Sequence, residues 1–128
     1  MTLRQLATHL AQMPLWGTTT IQTTELDLSV PFDRPNPRTT AALLAIFEAG
    51  AKSYLAALEG ASDEDLMVTW TLVGPDRTVV LAMPRIAVLR GMVMNHMVHH
   101  RGQLSVYMRM LEIPVPAIYG PSADEGTS

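Results

Sequence analysis

The chain has no cysteine, which excludes disulfides, thiolate metal ligands and a cysteine nucleophile. Any thiol in its chemistry would have to come from a substrate. Lys52 is the one lysine among nine basic residues, and those residues form no run. With a formal net charge of -3, this argues against nucleic acid and against an anionic membrane surface as partners. No segment approaches about 18 uninterrupted apolar residues, and the N-terminus has no apolar signal core. A cytoplasmic location is therefore expected. Glycine-rich phosphate loops and nucleophile-elbow motifs are also missing. What remains is 128 residues, 48% of them apolar and 16% charged. That composition suits one packed domain spanning 1–128.

The apolar residues fall into helical stripes. Thr2 can cap a helix carrying Leu3, Leu6, Leu10 and Met13 at helical spacing. Pro14 should bend that helix or mark its midpoint, with helix resuming through Trp16–Thr24. Residues 25–38 hold Pro31, Pro35 and Pro37 and little periodicity, so they read as a crossover loop. Thr39 or Thr40 caps a second helix running to about Glu59, with Leu43, Ile46, Phe47, Gly50, Tyr54 and Leu58 in period and Gly60 as its stop. Ser62-Asp63-Glu64-Asp65 reads as a short turn or a single helical turn, acidic and solvated. Met67–Val73 and Arg77–Met83, separated by Gly74-Pro75-Asp76, read as a small hairpin. Pro84 opens a last long helix that continues to about Glu112, followed by a proline-rich tail.

Three of the four histidines lie in Asn95-His96-Met97-Val98-His99-His100-Arg101-Gly102-Gln103 on that last helix. Stepping 100° per residue, His100 falls about 40° from His96, in the same sector as Leu89, Met92, Val93, Leu104 and Met110. Two imidazoles inside an apolar stripe are costly without partners. His9, the remaining histidine, shares a face with Leu6, Met13 and Trp16. Either these three hold one divalent ion with an open coordination position, or they are hydrogen-bonded core histidines in a polar patch. His99 fits the edge of the site, a supporting position behind it, or the surface. Gln103 could hydrogen-bond a ligand histidine or the backbone, and Arg101 belongs to a solvated face or a carboxylate pair. Gly102 would let another helix come close. The methionines at 92, 94, 97, 108 and 110 read as core packing.

The stretch from Asn95 to Leu104 resembles the last-helix motif of the DinB-like proteins. The likeness continues through Tyr107 and Arg109 to Pro114, Pro116 and Tyr119-Gly120-Pro121-Ser122-Ala123-Asp124-Glu125. The opening Leu3-Arg4-Gln5-Leu6-Ala7-Thr8-His9 is similar to the family segment carrying its first ligand histidine. The resemblance implies an all-α, four-helix DinB-like bundle with a short extended hairpin-like connection. It also implies a divalent metal, zinc or nickel by the preference of imidazole donors, on His9, His96 and His100. The family includes thiol-dependent transferases and isomerases in which the metal is thought to activate a low-molecular-weight thiol. Relative to the family pattern, the helix before residues 2–10 is missing. An apolar face would then lie uncovered, and a homodimer is expected to cover it.

Two functions follow as expectations. One is a metal-dependent, thiol-dependent transferase or hydrolase acting on a small molecule. The other is a non-catalytic, stress-related dimer in which the ion is structural and closed by a fourth protein ligand. Tyr107 and Arg101 are the only further candidates near the histidines.

Overall fold

The structure is a computed structural model, and it describes residues 1–125. The chain is mostly helical, and the expected hairpin is extended by a further strand into a small three-stranded sheet. Helix α1 spans Leu3–Gln22 and opens with a reciprocal capping box: Thr2 Oγ1 accepts from Gln5 N–H, and the Gln5 side chain accepts from Thr2 N–H. Pro14 does not end it. Pro14 lies buried within the helix, and Gly50 of the second helix sits against it, an added Cβ there lying 3.5 Å from Pro14 Cβ.

Helix α2 spans Thr40–Glu59, capped by the Thr39 hydroxyl on Ala42 N–H and stopped at Gly60. It packs along α1. Gly17 of α1 permits this, because a Cβ there would meet the Tyr54 ring at 2.4 Å. The periodic apolar residues of α2 are nonetheless poorly covered. Gly50 alone is buried, Leu43, Ile46, Tyr54 and Leu58 are half-buried and Phe47 is exposed, while Leu44 and Leu55 beside the stripe are 50% and 59% exposed. By length and composition α2 is the one helix among the described residues apolar enough to cross a membrane.

Strand β1, Glu25–Asp27, lies inside the segment read as loop. Its Leu26 pairs in parallel with Leu72 of β2, Thr69–Val73. Three residues with acids at both ends carry too little alternation to announce a strand. Arg77 in the hairpin loop helps fix it from outside, donating to Glu25 and Asp27. The anticipated hairpin is present, β2 pairing antiparallel with β3, Val79–Pro84, with an irregularity at Leu72 and Val73. The acidic turn forms the short helix α3, Asp63–Met67, capped by Ser62.

The last helical run begins at Arg85, with Pro84 ending β3 rather than occupying the first helical turn. It comprises α4, Arg85–Val88, a π-helical stretch, Leu89–Met94, and α5, Asn95–Met110. Trp70, Leu72 and Val88 form a buried cluster between sheet and helix, covered by Leu26, Leu81, Met83 and Met92. The buried Arg85 guanidinium donates to the Thr23 carbonyl beyond the end of α1 and to the Asp65 carbonyl. A cation at a helix C-terminus meets the negative end of the helix dipole. Trp70 Nε1 donates to Thr23 Oγ1, so one residue receives both side chains.

The methionine stripe is not uniformly core: Met94 and Met110 are 46% and 76% exposed. Gly102 admits no helix either, since nothing lies within 4 Å of an added Cβ. Beyond α5, Glu112 takes a left-handed conformation (φ 56°), and Ile113 N–H reaches back to the Met108 carbonyl. Asp124 accepts from Val115 N–H and pairs with Arg109, folding the tail against α5.

Candidate metal centre

The packing of α1 against α5 brings His9 to His96 and His100. One nitrogen from each ring can be chosen so that all three lie within 4.8 Å of one another. Ring centroids are 4.4 Å apart for His96 and His100, 4.7 Å for His9 and His100, and 5.2 Å for His9 and His96. His100 is buried and the other two are half-buried. Each of the three expected residues is therefore in place.

Local sequence accounts for the pair on α5, because positions four apart stack on one helix face. The π-helical stretch that ends one residue before Asn95 was not foreseeable from a fixed 100° step. There Asn95 N–H bonds the Arg90 carbonyl five residues back, which re-aims the helix immediately before His96.

The hydrogen bonds of the rings define where their lone pairs point. His100 Nδ1 lies 2.7 Å from Gln103 Oε1. With the amide oxygen as acceptor, Nδ1 carries the proton and Nε2 is left bare. His96 Nε2 lies 2.7 Å from His100 Nε2, a hydrogen bond in which His96 donates to that bare nitrogen. A divalent ion would replace that shared proton and take a lone pair from each ring.

Electrostatics favours the neutral, ligating rings. Burial pushes His9 below the ordinary histidine value, and the charges of His100 and His96 push it further. Burial, followed by the neighbouring His100, does the same to His96 despite the opposing Met92 bond.

Three imidazoles are a chemically suitable donor set for a borderline divalent cation. Tetrahedral or octahedral geometry at about 2.1 Å per bond needs ligand nitrogens about 3.0–3.4 Å apart. His96 and His100 would open slightly and His9 would close in, adjustments within the reach of side-chain torsions. Gln103 is committed to His100, and the cluster contains no carboxylate.

The other nominated residues fall outside the cluster. His99 is exposed, its ring 4.9 Å from that of His100. Tyr107 donates to the Met1 carbonyl and ties down the start of α1. Arg101 is exposed and lines an apolar groove between the helices. Sequence reasoning passed over Arg4 and Arg34, which line a cavity that His9 also lines. Their signal was weak, since isolated arginines in a helix start and a loop read as solvated surface.

A helical protein with a three-histidine cluster between its first and last helices is, as a class, a candidate metal-binding helical fold. The DinB family model matches residues 1–127, and the chain belongs to the DinB family. A comparison with curated proteins gives no match, and neither does a comparison with solved structures.

Proposed function

We propose that His9, His96 and His100 hold one divalent ion, zinc or nickel, in an open site. We further propose that the protein is a metal-dependent transferase or hydrolase using a thiol or water nucleophile. The observation that carries this reading is the convergence of three imidazoles from two helices, one nitrogen of each ring lying within 4.8 Å of the others. Such an ion would supply Lewis acidity, lowering the pKa of a bound thiol or water so that the nucleophilic form is present at neutral pH.

The residues of the chain have distinct parts in this reading. Gln103 holds His100 in the tautomer with Nε2 free. His9, on a separate helix, makes the site depend on the α1–α5 contact. The cavity bordered by His9 gives a small substrate access from one side. Three protein ligands with no carboxylate among them favour an open centre over the closed, structural ion of the non-catalytic reading.

A homodimer is part of the proposal. An apolar groove of about 480 Å³, walled by residues such as Leu10, Leu43, Phe47, Met97 and Leu104, runs between α1, α2 and α5. A second copy would cover it and the exposed face of α2. A cytoplasmic setting, where reduced small thiols are available, completes the reading.

The test is metal content per chain, measured after purification without chelator or histidine tag. About one equivalent of zinc or nickel is expected in the wild type, with a loss of at least nine-tenths in His100→Ala. Retention of the ion by His100→Ala and His96→Ala would sink the ligand assignment.

A further inference from the structure

The cavity beside His9 has an electrostatic character that the metal site does not require. It has a volume of about 550 Å³, within the usual range for small-molecule sites. Arg4, at the start of α1, and Arg34, in the loop before α2, both line it, and no acidic side chain does. Neither arginine forms an ion pair among the described residues, where Arg77 and Arg109 supply all the pairs. Arg34 lies over the Phe32 ring, 5.1 Å from its centroid, a cation–π contact that restrains its charge at this wall.

Next to it is a second cavity of about 400 Å³, walled largely by apolar side chains that include Leu15, Leu26 and Ile46. Gln12, Trp16, Phe32 and Pro35 line both spaces, so the two adjoin across these side chains. Asp33 is the single charged residue on the second cavity. The positive charge is thus confined to the cavity beside His9, and Asp33 follows the shared Phe32 in the chain.

Resting on the proposed metal site, we propose that the protein takes an organic anion: a carboxylate carried on an apolar skeleton. The carboxylate lies between Arg4 and Arg34, and the apolar body extends past Phe32 and Trp16 into the second cavity. Guanidinium groups suit this role because their fixed fork of donors matches a carboxylate. The apolar lining of the second cavity sets the ligand's direction, since it suits the skeleton and not the charge. The head group is then held on the side of His9, where the reactive centre would be.

The probes are 4-phenylbutyrate, 4-phenylbutanol and 4-phenylbutylamine, titrated calorimetrically into the full chain with one equivalent of zinc and into metal-free protein. In both forms the acid should bind at least tenfold more tightly than the alcohol, and the amine should bind more weakly than either. Arg4→Gln and Arg34→Gln should each weaken the acid about tenfold and leave the alcohol unchanged. Lys52→Gln, which removes the same charge elsewhere, should change nothing. Phe32→Ala should weaken acid and alcohol alike. Far-UV circular dichroism of each variant separates lost binding from lost fold.

Equal affinity for acid and alcohol, or acid binding indifferent to both arginine replacements, overturns the proposal. The metal reading can fail separately. Protein that takes up no zinc yet binds the acid through Arg4 and Arg34 keeps the anion site and loses the metal. Protein that binds zinc but ignores both arginines keeps the metal and loses the anion site.

Discussion

The sheet end of the molecule is closed, whereas the long helix α2 lies almost open. Around Trp70, Leu72 and Val88, short and weakly periodic segments bury their side chains to 4%, 9% and 2% exposure. Along α2, twenty residues with a regular apolar period bury only Gly50. Periodicity therefore marks a face suited to burial, but what arrives to cover that face is a separate matter. At the sheet, β1, β3 and the π-helical stretch supply the cover. On α2, α1 covers one side and the groove toward α5 stays open. The histidine cluster lies between these regimes, on the α1–α5 contact.

The contrast predicts a gradient of mutational cost. Trp70→Ala should lose about 3–5 kcal/mol, the range for deleting a buried aromatic, measured by urea unfolding. It also leaves the Thr23 hydroxyl without the indole donor. A loss below about 1 kcal/mol would mean the sheet end is no better packed than α2. Gly17→Ala should cost about 1–3 kcal/mol, because the new methyl group must displace the Tyr54 ring. That substitution tests the single side of α2 that is firmly seated.

Acid should act next, and at the boundary between the two regions. In metal-free protein His9 and His96 are held below the ordinary value near 6.5, so the unfolded chain binds more protons once the pH falls below that value. Stability should be level above about pH 7 and decline as the pH drops through 6.5 toward the lowered folded values. Thermal midpoints at half-unit intervals would read this, and His9→Gln should flatten the decline. The depressed carboxylates Asp27, Asp65 and Asp124 act only at lower pH, below the ordinary carboxylate value. The smallest effect belongs to the open face. Leu44→Gln, at a site 50% exposed, should shift monomer stability by less than about 0.5 kcal/mol. In sedimentation velocity it should weaken self-association, if a second copy covers the groove.

The legible parts of this protein were local. The Thr2–Gln5 and Ser62–Asp65 caps lie within single turns, as does the His96–His100 pair. The hairpin was readable from two β-rich runs around Gly74-Pro75-Asp76. Strand β1 was not, because its three residues exist as a strand only through Leu26 meeting Leu72. The π-helical turn was hidden for another reason: a hydrogen-bond register five residues back leaves no mark on composition. Nothing local marks Arg85, and only the arrival of the Thr23 and Asp65 carbonyls makes it a buried clamp.

The sequence by itself determined the helices, their caps and the placing of two imidazoles on one face, since each depends on backbone torsions and neighbours within about one turn. It also set the chemistry available, histidine nitrogen in the absence of any thiol. Only the tertiary structure decided that His9 joins that pair, that Arg4 and Arg34 border the same cavity, and that α2 keeps an open face. Those outcomes depend on which surfaces meet across long stretches of chain, and a one-dimensional pattern of side chains does not encode that meeting locally.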